Sequence, residues 1–135
     1  MKIKALFSLM TVFLFVVTGC ASEIKNKEQK IVVFVDGGSK EITDNKKVSQ
    51  LNQILNDTDW KNAEVQMARL PDYSFQIVTK DESIEAKAGT YDVWISPNKD
   101  KLEIVKRDGQ YAQLIKENSA LLFEIMTGGK LANLK

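Results

Sequence analysis

From Ala63 to Ile115, apolar and polar residues alternate, and turn signals cut that alternation into short pieces. A period of two places every second side chain on one face of a strand. The connections are too short for helical crossovers, so the strands they join are antiparallel neighbours. Ala63, Val65 and Met67 alternate with Glu64, Gln66 and Ala68, which predicts one strand. After the tight connection Leu70-Pro71-Asp72-Tyr73, a second runs through Tyr73, Phe75 and Ile77. Ile84 to Ile95 reads as one longer strand with Gly89 as a bulge. Leu102 and Ile104 mark the next. Asp108-Gly109 favours a two-residue hairpin, because its central residues tolerate positive φ, and it assigns Gln110 to Ile115 to the last strand.

Upstream, Lys30 to Val35 holds the β-rich run Ile31-Val32-Val33-Phe34-Val35, apolar on both faces as an inner strand is. Asp36-Gly37-Gly38-Ser39 breaks it and reads as a Gly-rich turn leading toward a helix. Thr43 or Asp44 can cap that helix, which spans about 45–57 with Val48, Leu51 and Leu55 on one stripe and Ile54 beside them. A second helix runs from about Glu117 to Met126, with Leu121, Leu122, Ile125 and Met126 inward, and Gly128-Gly129 stops it. The expected fold is α+β: a single antiparallel sheet of about six strands with two helices on one face, in the order β-α-β-β-β-β-β-α.

The chain has no His, and Cys20 is its only Cys. No intrachain disulfide can form, so burial alone must hold the fold. Within one chain, zinc, copper and haem sites built on His or Cys are excluded, as are Ser-His-Asp and Cys-His catalysis. No cofactor and no metal is expected.

The N-terminus gives an address. Lys2 and Lys4 precede Ala5 to Val17, an apolar run broken only by Ser8 and Thr11. About 13 helical residues rise roughly 20 Å, short against a hydrocarbon core of about 30 Å. This pattern reads as a secretory signal. Val17-Thr18-Gly19-Cys20 resembles the lipobox of bacterial lipoproteins, with Thr18 a mild departure from the usual Ser or Ala. The resemblance implies a diacylglyceryl group on the Cys20 thiol and cleavage of residues 1–19. Two acyl chains hold a protein stably at a membrane, where one does not. The expectation is therefore lipid anchorage at the extracytoplasmic face of the cell membrane, with membrane lipid as a partner through Cys20. Residues 20–29 are the lipidated Cys20 and a tether of nine residues, Ala21 to Gln29, and residues 30–135 a single globular domain. Losing Lys2 and Lys4 takes the net charge from +1 to −1, which suggests no nucleic-acid surface.

Several segments together resemble the YhfM-like lipoproteins of bacilli. They are the lipobox at Cys20, the turn Leu70-Pro71-Asp72-Tyr73, the aromatic strand Tyr91-Asp92-Val93-Trp94-Ile95, the hairpin Asp108-Gly109-Gln110-Tyr111 and the final Leu-rich helix. The resemblance covers most of residues 30–127. It implies an address and a fold, and brings no catalytic residues with it.

Three apparent motifs dissolve on inspection. Asp36-Gly37-Gly38-Ser39 begins like a metal-dependent adhesion motif, but Gly38 and Lys40 stand where hydroxyl ligands are needed. Gly128-Gly129-Lys130 lacks the earlier Gly of a phosphate loop, with Glu124 in its place, and Leu131 replaces its Ser or Thr. Asp57 and Asp59 open like a calcium loop, but Asn62 and Ala68 occupy its Gly and Glu positions.

Trp94 is the residue that stands out. Alternation puts Tyr91, Val93 and Ile95 on one face, and Asp92, Trp94 and Ser96 on the other. Val78 and Val105 share that second face with Gln76, Glu103 and Arg107. A large aromatic among mixed residues suits a binding surface, and it equally suits a local cover over an open sheet face. Trp94, Val78, Val105 and Arg107 form the candidate binding face. Three function classes stay open. They are a non-enzymatic interaction module serving an envelope protein, a small-ligand or wall-polymer binder, and a carboxylate-based hydrolase. The first leads by elimination. A hydrolase needs two carboxylates converging in a cleft, with a raised pKa.

Overall fold

A computed structural model describes residues 28–80 and 89–135. Cys20, most of the tether and positions 84–88 of the expected long strand lie outside the described residues.

The described residues form one open antiparallel sheet of seven strands with two helices. In chain order the elements are β1 (Gln29–Val35), β2 (Gly38–Ile42), α1 (Asn45–Asp57), β3 (Lys61–Asn62), β4 (Tyr73–Thr79), β5 (Thr90–Ile95), β6 (Leu102–Lys106), β7 (Gln110–Gln113) and α2 (Lys116–Thr127). The spatial order is β2-β1-β4-β5-β6-β7-β3. The α+β class and the shared helical face agree with the sequence reading, and the strand count is one higher.

The added strand is β2. The stretch after Val35 turns back as a hairpin instead of leading directly to a helix. Val35 pairs with Gly38 across Asp36-Gly37, and Gly37 takes φ +85°, a region where glycine avoids the Cβ clash. Four of the five β2 residues are exposed, so the strand lacks the apolar alternation that would mark it. The expected strand over 63–68 does not form. Only Lys61 and Asn62 pair, with Tyr111 and Gln110, and the residues after them carry no ladder. At Asp108-Gly109 the hairpin exists, but its loop has three residues: Lys106 pairs with Gln110, and Gly109 sits at φ +101°. An αL glycine closing a three-residue loop is the usual geometry there.

Both helices pack on one face. The side chain of Asp44 caps α1, its Oδ1 accepting from Lys47 N at 3.1 Å. Val48, Leu51, Ile54 and Leu55 then face Ile31, Val33, Phe75 and Ile77 in one continuous core. The Phe75 and Tyr91 rings stack at 4.9 Å, and Tyr73 meets Phe123 of α2 edge-on at 6.0 Å. In α2 the buried set is Ser119, Leu122, Phe123, Ile125 and Met126. Phe123 thus points inward, and Leu121 stays half-buried. Gly128, at φ +76°, ends that helix with its N–H on Glu124 O.

Candidate functional site

The helix-free face of the sheet carries the candidate residues. Strand register draws one side chain from every strand into a transverse row. It runs from Ser39 on β2 through Asp92 at the centre to Lys61 on β3. Polar groups at its centre satisfy one another. Ser74 Oγ donates to Asp92 Oδ1 at 2.6 Å, and Arg107 Nε and Nη2 donate to the two oxygens of Asp92, each at 3.2 Å. That charge-assisted contact holds the Arg107 pKa above its ordinary value. Along neighbouring rows, Gln76 Nε2 donates to Thr90 Oγ1 at 2.8 Å, and Lys30 Nζ to Glu41 Oε1 at 2.8 Å. Tyr111 OH donates to Glu103 Oε1 at 2.7 Å. Burial, that hydrogen bond and the carboxylate charge push the phenol up to about 12.

The four residues of the expected binding face do share this side, but they do not make one patch. Val105 and Arg107 flank Asp92. Val78 pairs with Lys30, six residues along the ladder from the level of Trp94, roughly 20 Å away at the rise of a strand. Trp94 itself is corrected: it is only 6% exposed, and its Nε1 donates to Arg69 O at 3.0 Å. It is a covered residue, unavailable as a surface contact in this conformation. The cover follows from topology. β3 lies at one edge and β4 lies beyond β7, β6 and β5, so residues 63–72 must travel back across three strands. The helices occupy the other face, and the chain passes over Trp94.

At the far side of Trp94 the same segment is clamped. Arg69 Nη1 donates to Asp72 Oδ1 at 2.6 Å, Arg69 Nη2 to Ile95 O at 2.9 Å, and Ile95 N to Asp72 Oδ2 at 2.7 Å. Partial burial opposes ionisation of Asp72, yet the Arg69 guanidinium and the Ile95 N–H outweigh it and hold the carboxyl below the usual range.

Beside this clamp opens a shallow cleft of about 500 Å³, between the β1–β2 turn and the Pro71-Asp72-Tyr73 turn. Phe34, Val35, Pro71, Tyr73 and Ile95 line it together with Asp36, Asp72 and Ser74, and most of the surface it exposes is polar. Phe34 is 40% exposed and Val35 47%, and Leu70, next to Pro71, is 86% exposed. Sequence reading passed over this cleft. Its one signal was a run of large apolar residues continuing up to a turn, at Phe34-Val35 and again at Leu70-Pro71, where turns are ordinarily polar.

A protein-family model described as YhfM protein matches residues 24–131. The chain belongs to the YhfM family. The YhfM match takes in all seven strands, both helices, the segment over Trp94 and the cleft. No curated protein and no solved structure matches the chain.

Proposed function

We propose that this YhfM-family chain is a membrane-anchored extracytoplasmic lipoprotein, and that its domain is a non-enzymatic interaction module contacting an envelope protein through the cleft. The observation that carries the reading is polarity along the sheet. The chain enters at Gln29, at one end of β1. The exposed Phe34 and Val35 stand at the other end, about 20 Å on. Strand register puts the start of β4 and the end of β5 at that same far end, with Leu70 and Pro71 beside them. A tether of nine residues, spanning at most about 30 Å, would hold the entry end near the membrane and turn the cleft outward. Exposed large apolar side chains gathered beside a cleft are what a contact surface offers. Ile115 is exposed at the same end, but lies four strands across from β1, roughly 19 Å at ordinary strand spacing.

A second reading, a small-ligand or wall-polymer binder, uses the same cleft and draws on its volume. A hydrolase draws less support. Asp36 and Asp72 both line the cleft, but Asp72 is held below the usual carboxylate range, the opposite of what a general acid near neutral pH needs.

The test has two arms in intact cells. Metabolic labelling with a palmitate analogue is expected to mark the full chain and to be lost in Cys20→Ala. An unlabelled chain sinks the anchor. A photocrosslinking residue placed at Phe34 or Leu70 is expected to trap one reproducible protein partner, while the same probe at the exposed Asn45 traps none. Identical patterns at all three sites sink the interaction module.

A further inference from the structure

The segment between β3 and β4 is held unusually lightly for a cover over a buried indole. Among the described residues, Glu64 to Ala68 form no hydrogen bond and no ion pair. All of them but Met67 are exposed. Asp72 is fixed to β5, its N–H donating to Val93 O at 2.9 Å and its Oδ2 accepting from Ile95 N at 2.7 Å, so the attachment of the residues before it falls on Arg69. Its carbonyl receives the Trp94 indole N–H, and its guanidinium binds Asp72 and the Ile95 carbonyl. The guanidinium is itself well exposed, its side chain retaining 53% of its surface. Beneath lies a large aromatic on a face whose other central members, Val105 apart, are polar and paired with one another. Trp94 stands outside the continuous core that the helices build with the sheet. Displacing the segment therefore uncovers Trp94 without opening the main core.

We propose that residues 63–70 are a releasable strap that Arg69 latches to Asp72 and Ile95, and that its release exposes Trp94. The latch and the cleft share a wall. Pro71 and Asp72 line the cleft, and Asp72 is the carboxylate that holds Arg69. A group that draws Asp72 away from Arg69 loosens the strap, so events in the cleft are transmitted to Trp94 some 25 residues away in sequence from its Arg69 partner. Local opening of a segment with few buried contacts and few backbone hydrogen bonds requires far less than global unfolding. The inference goes beyond the proposed contact role of the cleft and does not depend on what fills it.

The test reads the accessibility of Trp94 in the full chain. In a Trp60→Phe background, Trp94 is the only indole. Arg69→Ala and, separately, Asp72→Asn are expected to shift its emission to the red and to raise its quenching by acrylamide severalfold. Amides in β1, β4 and β6 are expected to keep their protection from hydrogen exchange. Hydroxyl-radical footprinting of the Trp94 peptide, in chains that keep Trp60, gives the same readout with no change at Trp60. Unchanged accessibility in both variants overturns the latch. Loss of protection throughout the sheet also overturns it, because the strap would then be part of the cooperative core.

Discussion

Ser119 Oγ accepts the backbone N–H of Leu102 at 2.8 Å, and so ties the first turns of α2 to the start of β6. The same hydroxyl donates to Leu114 O at 3.3 Å, and the residue is fully buried. A serine inside a helix's apolar face is thereby satisfied twice. Replacing it with a similar-sized apolar residue strands a buried donor. Ser119→Ala is expected to lower stability by about 1–3 kcal/mol in urea unfolding, the desolvation cost of an unpaired buried amide. An unchanged midpoint would mean that Leu102 N finds another partner.

The stacked Phe75 and Tyr91 sit where β4 and β5 meet the helices. Phe75→Ala empties a fully buried ring position and is expected to cost about 3–5 kcal/mol. Leu70→Ala, at the most exposed large apolar residue described, should stay within about 0.5 kcal/mol. Thermal unfolding of the two variants checks the contrast. Equal losses would contradict the burial assigned to either residue.

Adjacent glycines in the first hairpin have different duties. Gly37 lies at φ +85° and Gly38 does not share that region, although a Cβ at either meets nothing within 4 Å. Gly37→Ala is expected to cost about 1–2 kcal/mol through backbone strain alone. Gly38→Ala should be neutral or stabilising by roughly 0.5 kcal/mol, through lower entropy of the unfolded chain. Chemical denaturation of both variants decides it, and the reverse order would place the turn one residue later.

Tyr111 supplies the pH dependence. Its folded-state pKa is raised to about 12, so ionisation favours the unfolded chain first. The stability it contributes is complete below about pH 10, the unfolded tyrosine value, and is lost as pH rises toward 12. In a Tyr91→Phe background, which removes the other phenol that burial raises, phenolate absorbance should show one tyrosine titrating late, and Glu103→Gln should bring it earlier. A late step that survives that change would point to burial alone.

Alternation, caps and stops made much of the domain legible in one dimension. The capping Asp44, the stripe Val48-Leu51-Leu55 and the αL Gly128 are local devices, so their sequence neighbourhood is enough. The faces of β5 were readable for the same reason, since a period of two leaves no choice once the strand exists. The hairpin signals were readable in kind but not in length. Asp36-Gly37 closes the two-residue loop, and Asp108-Gly109 belongs to a three-residue one. The stretch 63–68 misled because alternation also occurs in a segment that never pairs. Asn62 pairs with Gln110 at the very start of β7, and the next residue of that strand's chain, Gly109, is already in the hairpin loop, so the ladder has no partner to continue on.

The sequence by itself determined the class of the fold, the helical face and the orientation of each strand's side chains, because these follow from local periodicity and capping. Only the tertiary structure decided that Trp94 is covered, that Val78 stands far from it, and that Phe34, Val35 and Pro71 meet around a cleft. Those relations depend on strand order, in which β3 and β4 stand on opposite sides of three later strands. The chain between them has to cross the sheet, and no local pattern in its residues records which side chain it will cross.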